Sequence, residues 1–301
     1  MPESSAPVAA SPLHVLLFGA SGQIGQRVLE RLLDAGWQVT AVSRRPRPTR
    51  PGVRWHQGGL PGAGPGERFD AICSCGPLDL FAQWYAASVT GAAPVVAFGS
   101  TSVHVKGDSS DPAERDVAAR LQRAEATLAE AAGGRDGRIV VLRPTLVYGA
   151  GTDRNLSRVA ALARRWRGFV LPHDARGLRQ PVHVADLADA AMAALVRVSA
   201  AGRSPGLEAF DLPGGETLAY RQMVARTLGA IQPARRLWLL PGPLFSAAAV
   251  VARTLGVHDA GAAVLARMRQ DLVFDVEPAR RALGYAPRPF RPDPAMFEPP
   301  L

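Results

Sequence analysis

The sequence predicts an α/β fold, a doubly wound parallel sheet with a smaller C-terminal α/β domain. Apolar runs typical of strands alternate with amphipathic helical patterns through the first half of the chain, which is the pattern of a parallel sheet covered on both faces. The second half alternates less regularly, which indicates a smaller domain over the carboxyl edge of the sheet. The 301 residues are enough for one large domain or two modest ones.

The first half contains predicted strands at 13–18, 37–42, 53–56, 69–73, 94–98 and 138–142. Helices are predicted from Ile24 to Leu33, at 78–90 and at 112–132, where apolar residues recur every three or four positions. The second half has short predicted strands at 208–212 and 272–275 and helices after 184 and at 220–229. The apolar stretch 237–252 contains two prolines and a glycine, and we interpret it as a core segment, with a membrane-surface contact as the alternative.

Residues 19–25, between the first strand and the first helix, read GASGQIG. In this context a G-x-x-G-x-x-G loop binds a dinucleotide. Gly19 allows the tight turn, Gly22 lets the backbone approach the pyrophosphate, and Gly25 lets the helix lie close to the sheet. The helix N-terminus then offers free N–H groups and a positive dipole end to the phosphates. We therefore predict a Rossmann-type dinucleotide-binding domain.

The second strand ends at Ser43-Arg44-Arg45, where NAD-binding folds carry an acidic residue for the ribose 2′-hydroxyl. Two guanidinium groups match a 2′-phosphate in charge and in bidentate geometry. The sequence predicts NADP(H) as the cofactor, with NAD as the alternative. The predicted cofactor-binding residues are Gly19, Ser21, Gly22, Gln23, Ile24, Gly25, Ser43, Arg44, Arg45 and Cys75.

The predicted domain boundaries follow from this arrangement. Residues 1–12, rich in Pro, Ala and Ser, are interpreted as a disordered tail rather than a signal peptide. Residues 13–150 and 179–206 are assigned to the dinucleotide-binding domain. Residues 151–178 and 207–301 are assigned to the small substrate-binding domain, because substrates of open α/β folds bind in the crevice at the carboxyl ends of the strands.

The net charge of +9 comes almost entirely from arginine, since Lys106 is the only lysine among 35 basic residues. No nucleic-acid-binding motif accompanies this charge, so we expect no nucleic-acid partner. Cys73 and Cys75 are too close in sequence for an easy disulfide and lack further ligands for a metal. No apolar stretch is long enough to span a bilayer, and we expect a cytoplasmic protein.

Several motifs, in chain order, resemble those of the extended short-chain dehydrogenase/reductases, the NAD(P)-dependent epimerase/dehydratase group. The glycine loop is the first of them, and the Ser-rich segment 99–104 after the fifth strand is the second. The others are similar to R-P-x-x-x-Y-G, R-x-x-x-H-V-x-D and L-G-[WY]-x-P, at 143–149, 179–186 and 283–287. The resemblance implies a small-molecule substrate, of the nucleotide-sugar type in this family.

The chain departs from this family in its acid–base pair. The resemblance implies a Tyr-x-x-x-Lys pair on the helix after the fifth strand, and no such pair exists anywhere in this sequence. If Glu125 matches the glutamate often found four residues after the family lysine, Val117 and Leu121 occupy the positions of the pair. A second departure is Gly59, where the family usually has an aspartate beside the adenine. This chain therefore resembles an atypical member of the family.

The resemblance supplies the remaining candidate residues. Ser100 matches the family serine or threonine that hydrogen-bonds the substrate oxygen, and a serine capping its own backbone is the structural alternative. Tyr148 is a second catalytic candidate, although a phenol without a nearby lysine is a poor base at neutral pH, which favours packing. Arg179 and Asn155 match residues that contact the substrate, Arg179 at its diphosphate.

The sequence is compatible with three alternative functions. The first is an NADP(H)-dependent oxidoreductase or epimerase-like enzyme with an atypical active site. The second is a non-catalytic NADP(H)-binding regulatory or redox-sensing protein. The third is a structural or assembly subunit that a bound nucleotide stabilises. The family resemblance also implies a homodimer through helices 78–90 and 112–132, with Trp84 and Tyr85 supplying an apolar patch.

Overall fold

The computed structural model describes residues 12–62, 64–88, 93–153, 155–200, 202, 204–245 and 262–297. Residues 1–11 of the predicted tail at 1–12, and the part of the apolar stretch beyond residue 245, lie outside these residues. Within these described residues the strands are β1 (His14–Phe18), β2 (Gln38–Ser43), β3 (Val53–Gln57), β4 (Ala71–Ser74), β5 (Val95–Phe98), β6 (Arg138–Pro144), β7 (Val147–Tyr148), β8 (Gly168–Pro172), β9 (Leu178–Arg179), β10 (Val182–His183), β11 (Gly206–Leu212), β12 (Leu218–Ala219) and β13 (Arg236–Leu240).

The helices of the described residues are α1 (Gln23–Asp34), α2 (Leu78–Ala87), α3 (Ser102–Val105), α4 (Pro112–Gly133), α5 (Leu156–Trp166), α6 (Val184–Ser199), α7 (Tyr220–Ala230), α8 (Ala262–Arg269) and α9 (Glu277–Leu283). A 3₁₀ turn covers Pro294–Phe297. Helix α4 begins as its sequence suggests. Pro112 occupies the first turn, and the Asp111 carboxylate accepts a hydrogen bond from the Ala113 N–H.

The central sheet has seven parallel strands in the order β11-β6-β5-β4-β1-β2-β3. This confirms the doubly wound α/β prediction. The strand order reverses between β1 and β4, and ligands of open α/β sheets bind outside the strand ends at such a reversal. The glycine loop follows β1 at that point.

Side chains of successive sheet residues enter two different cores, because strand side chains alternate between faces. Val15 and Leu17 of β1 face α1 and α6, while Leu16 and Phe18 face α2 and α4. Both sets are almost fully buried, which explains why the strands are apolar on both faces. Cys73 of β4 is likewise buried.

A third core forms the small domain. Helices α5 and α7 and the two-stranded β8/β13 ribbon surround it, and Phe290 and Phe297 from the C-terminal segment close it. Strand β11 (Gly206–Leu212) instead pairs with β6, so it lies on the sheet side of the predicted boundary at 206/207. Helix α9 contacts α6 and β11, so the chain returns to the sheet domain near its end.

Two local predictions are wrong. Residues 272–275 form no strand, because the Leu272 N–H donates to the Leu178 carbonyl and the Phe274 N–H donates to the Gln180 side chain. The apolar patch on α2 does not exist either, since Trp84 and Tyr85 are only 4% and 0% exposed and belong to the core beneath α4. The homodimer itself stays a prediction.

Candidate functional site

The glycine loop is shaped by contacts that a side chain would prevent. Gly19 has a φ of +71°, and a Cβ there would lie 2.8 Å from the carbonyl carbon of Cys75. A Cβ on Gly25 would lie 2.0 Å from the Gly19 carbonyl oxygen. The first turn of α1 therefore lies directly against the end of β1, and the loop has no room for larger residues at these two positions.

The N-terminus of α1 is open. Gly22 is the N-cap and no side chain caps the helix, nor does its first turn contain an acidic residue. Ser21 and Gly22 are exposed. The helix end therefore presents N–H groups and the positive end of its dipole. The buried Oε1 atom of Gln23 has no hydrogen-bond partner within the described parts of the chain. An open helix end with an unpaired buried acceptor fits a phosphate-bearing ligand with additional donor groups.

The end of β2 places two arginines beside this loop. Ser43 Oγ donates to the Arg45 carbonyl oxygen at 2.8 Å and fixes the turn. The Arg44 side chain is exposed, and its Cγ would lie only 2.9 Å from a Cβ on Gly59. Glycine at position 59, where the family usually has aspartate, gives the aliphatic stem of Arg44 the space it occupies. Arg44, at the end of β2 where an acidic residue is usual, and Gly59, in place of an aspartate, are therefore neighbours in the structure.

A cavity of about 400 Å³ lies between α1 and the start of α5. Its lining is largely uncharged and polar, and consists of Gln23, Thr145, Val147, Thr152, Asp153 and Asn155. The Asp153 carboxylate is buried and accepts from the N–H groups of Asn155 and Ser157 at 3.0 and 3.1 Å. Asp153 is thus used by the α5 N-terminus, and the Thr145 hydroxyl donates to the Gln180 carbonyl oxygen. Asn155, predicted from the resemblance, is brought together with Gln23 here.

Ser100 and Cys75 lie at the carboxyl edge of the sheet as predicted. Ser100 Oγ donates to Ser102 Oγ at 3.1 Å and accepts from the Ser102 N–H at 3.2 Å. It therefore makes the local backbone contact named as its structural alternative, while its hydroxyl remains part-buried at this edge. The pKa of the Cys75 thiol is raised well above its ordinary value by the Cys73 thiol and by burial. Cys75 is consequently placed as a small residue against Gly19, not as a reactive thiolate.

Tyr148 is not one of the residues that line the cavity and belongs to the third core. It is fully buried and makes edge-on ring contacts with His183 at 5.1 Å and Phe290 at 4.9 Å. Burial raises its pKa to about 12. Burial and the raised pKa both agree with a packing role for Tyr148, as expected of a phenol without a nearby lysine.

Arg179 is also buried, and its guanidinium contacts protein groups. It donates to the carbonyl oxygens of Leu178 and Gln270 at 2.7 Å and to that of Arg267. Its charge lies 5.4 Å from the centre of the Tyr220 ring. Arg179 thus binds the C-terminal end of α8, where carbonyl groups lack helix partners. The structure does not bring it to the cavity lining.

The sequence did not single out one polar cluster at the same edge. His104 of α3 lies 3.1 Å from Asp211 of β11, measured from Nε2 to Oδ1. Arg143 Nη1 lies 3.3 Å from the same His104 nitrogen and 3.7 Å from Asp211 Oδ1. Glu125 in turn accepts two hydrogen bonds from Arg143. His104 and Asp211 are 107 residues apart, so the only available signal was a histidine four residues after Ser100.

His183 is the N-cap residue of α6. Its Nδ1 accepts a hydrogen bond from the Ala185 N–H at 3.2 Å, which caps the helix. Asp186 instead accepts from the backbone and side chain of Arg288 at 3.0 and 2.7 Å. Burial, and next the nearby Arg288 charge, lower the pKa of His183.

This lowered pKa predicts a pH dependence of stability. The unfolded chain takes up a proton near pH ~6.5 that folded His183 resists, so stability is highest above that pH and falls as the pH drops. We expect His183→Asn, which retains an N-cap acceptor, to flatten this fall. Urea unfolding on both sides of pH ~6.5 measures it. The control is His56→Asn on β3, and equal pH slopes for wild type and His183→Asn would contradict the expectation.

The fold and the loop define a Rossmann-type α/β protein whose glycine turn opens at the sheet's reversal point. The chain belongs to the NAD-dependent epimerase/dehydratase family, whose model matches residues 15–75 and 82–205. This family assignment confirms the resemblance. No curated protein sequence matches the chain.

Several solved structures share the fold. MoeE5 in complex with UDP-glucose and NAD is 21% identical, with a TM-score of 0.66, over 92% of this chain and 94% of that one. UDP-glucuronic acid 4-epimerase from Bacillus cereus in complex with NAD is 13% identical, with a TM-score of 0.66, over 91% and 94%. The Bordetella bronchiseptica enzyme WbmG in complex with NAD is 13% identical, with a TM-score of 0.63, over 97% and 94%. At these identities the likeness establishes the fold.

Among the described residues, no helix has both the length and the apolar character needed to cross a membrane. The same residues contain no group of three or more His, Cys, Asp or Glu side chains placed to hold a metal ion.

Proposed function

We propose that the protein is an NADP(H)-dependent enzyme of epimerase or reductase type that acts on a small hydroxyl- or keto-bearing substrate. The proposal rests on three structural features that lie next to one another at the carboxyl edge of the sheet. The open N-terminus of α1, the Arg44 side chain beside Gly59, and the polar cavity at Gln23 follow one another across the reversal point. A nicotinamide nucleotide held there would supply hydride transfer.

The residues present fit such a cofactor. The α1 N–H groups and the glycine loop accommodate the pyrophosphate, and the unpaired Gln23 Oε1 offers an acceptor to a bound donor. Arg44 offers two or more N–H donors to a 2′-phosphate and no acidic side chain stands at the end of β2 to favour a free 2′-hydroxyl. Solved neighbours with this fold contain NAD. The preference of this chain for NADP(H) over NAD(H) is therefore proposed from Arg44 and not from the neighbours.

The acid–base group must differ from the family pair. The ion pair between Glu125 and Arg143 joins two family motif positions, which supports placing Val117 and Leu121 where the Tyr and Lys would be. We propose that His104 moves the proton instead. In the tautomer whose Nε2–H donates to Asp211, Nε2 accepts nothing from Arg143, and the other ring nitrogen, Nδ1, is the basic one. Arg143 and Glu125 hold Asp211 in place, as a positioned carboxylate orients a catalytic imidazole.

The substrate is proposed to be a nucleotide sugar or a related small polyol. Solved neighbours with this fold include complexes with UDP-glucose and UDP-glucuronic acid. The hydroxyl and amide groups of Thr145, Thr152 and Asn155 suit a substrate rich in hydroxyl groups. Because Arg179 is directed to protein carbonyls, it is not included among the proposed substrate contacts.

The test is a turnover assay with NADP⁺ and NADPH across UDP-glucose, UDP-glucuronic acid and the corresponding free sugars. His104→Gln is expected to lower kcat by about 10²–10⁴-fold, the usual contribution of a general acid–base group. The same variant is expected to lose one limb of the pH profile of kcat/KM while NADPH affinity stays unchanged. The control is His56→Gln. Full activity of His104→Gln with an unchanged pH profile would overturn the role of His104.

A non-catalytic NADP(H)-binding protein is the second candidate, and one observation favours it. The positions assigned to the family pair, Val117 and Leu121, carry apolar side chains that perform no proton transfer. Tight NADPH binding without turnover of any substrate in the panel would favour this function over the enzyme.

A further inference from the structure

One surface of the small domain combines exposed apolar side chains with arginines. Trp166 and Trp238 are 51% and 46% exposed, although tryptophan is usually buried for most of its area. Leu239 and Leu244 are also exposed, whereas Leu237 packs against the third core, so only part of 237–245 fits the interpretation of 237–252 as a core segment. We call this surface the Trp–Arg patch. It consists of Arg165, Trp166, Arg167, Arg236 and Trp238, together with Leu244 just after β13, all of them exposed.

The β8/β13 ribbon brings these residues together. Its parallel register sets Arg236 opposite Gly168, the residue that follows Arg167. The Trp238 ring lies on Gly168, where a Cβ would be 2.1 Å from Trp238 Cζ3. The Arg165 guanidinium lies 5.6 Å from the centre of the Trp166 ring. Two segments far apart in sequence thus form one surface.

The charge of this surface has a single sign. Residues 155–173 and 217–245 contain eight arginines and no aspartate or glutamate. These two segments supply α5, β8, α7 and β13, which pack around the third core. Of the acidic residues directly next to these segments, Glu216 pairs with Arg226 on α7 and Asp174 pairs with Arg269. The Trp–Arg patch is therefore positively charged, which is electrostatically complementary to an anionic partner.

We propose that the Trp–Arg patch binds the surface of an anionic lipid bilayer. Tryptophan favours the interface between headgroups and acyl chains, and arginine is attracted by acidic headgroups. Leu244 distinguishes this partner from a polynucleotide, because an aliphatic side chain gains by entering the acyl boundary and has no role on a phosphodiester chain. The patch belongs to the small domain and is independent of the proposed enzymatic function.

The experiment is co-sedimentation of the full-length protein with vesicles. Vesicles of phosphatidylcholine alone are compared with an equimolar mixture of phosphatidylcholine and phosphatidylglycerol, at physiological and at about 0.5 M salt. Binding is expected only to the anionic vesicles and is expected to weaken at high salt. Each patch arginine is expected to contribute about fivefold, so replacing Arg165, Arg167 and Arg236 by Gln together costs about a hundredfold.

Leu244→Gln tests the apolar part and is expected to weaken binding about tenfold. It is 59% exposed and leaves the Trp238–Gly168 contact intact, so the variant is expected to fold normally. The matched controls are Arg47→Gln and Val273→Ser, exposed residues outside the patch. Equal binding to both vesicle types would overturn the proposal. So would binding that the patch variants do not alter, tighter binding to single-stranded oligodeoxythymidine, or a self-association that the same variants abolish.

Discussion

Gly25→Ala is expected to damage both folding and cofactor binding. The new Cβ would lie 2.0 Å from the Gly19 carbonyl oxygen and 2.7 Å from its carbon, both backbone atoms that cannot rotate away. The first turn of α1 must therefore move off β1. We expect the free energy of unfolding to fall by about 2–3 kcal/mol, as in overpacked cores. NADPH affinity is expected to fall more than about tenfold, because the N–H groups of α1 move with the helix.

Thermal unfolding with and without NADPH, together with calorimetric titration, measures both effects. Gly229→Ala is the matched control, since nothing lies within 4 Å of a Cβ at this exposed position of α7. Alanine there is expected to stabilise the helix by about 0.5–1 kcal/mol. Wild-type melting and wild-type affinity in Gly25→Ala would show that the glycine loop does not position a phosphate ligand.

Arg44→Ala is expected to lower NADPH affinity by about 10–100-fold, because a hydrogen bond from a charged group contributes about 1.5–3 kcal/mol. NADH affinity is expected to change by less than about threefold, since NADH has no 2′-phosphate for Arg44 to contact. Direct titration of both nucleotides into wild type and variant gives the comparison. Arg47→Ala removes an exposed arginine from the same loop and is the control.

Gly59→Asp supplies the reciprocal measurement. A side chain at this position meets the Arg44 stem at 2.9 Å and places a carboxylate beside its guanidinium. The variant is expected to shift preference from NADPH toward NADH. Equal affinity of the wild-type protein for the two nucleotides would refute NADP(H) selectivity.

The parts of the fold that follow from local pattern were predictable. The strands of the sheet core are apolar on both faces, and the glycine spacing fixes the turn between β1 and α1. The L-G-Y motif also behaves as its residues suggest. Gly284 ends α9 with a φ of +64°, and the buried Tyr285 donates its hydroxyl to the Pro213 carbonyl at 2.9 Å.

The parts that depend on distant pairing were not predictable. Strand β11 joins the sheet beside β6, although some 60 residues separate them and their local patterns do not specify a partner. Trp84 and Tyr85 are buried because α4 covers α2, which no residue of α2 itself encodes. In the candidate site, the glycine loop was predicted from its sequence pattern and Asn155 from the family resemblance. The pairing of His104 with Asp211 could be seen only in the folded sheet.

The repeated crossing of the chain between the sheet and the small domain has a practical consequence. The chain leaves the sheet after β6, returns for α6 and β11, leaves again for α7 and β13, and returns with α9. Neither domain is therefore one continuous stretch of sequence. A single protease cut cannot release either as an intact fragment, and no simple truncation yields a separately expressible half. Because several chain segments connect the two domains, any movement of one domain relative to the other must bend all of these segments together.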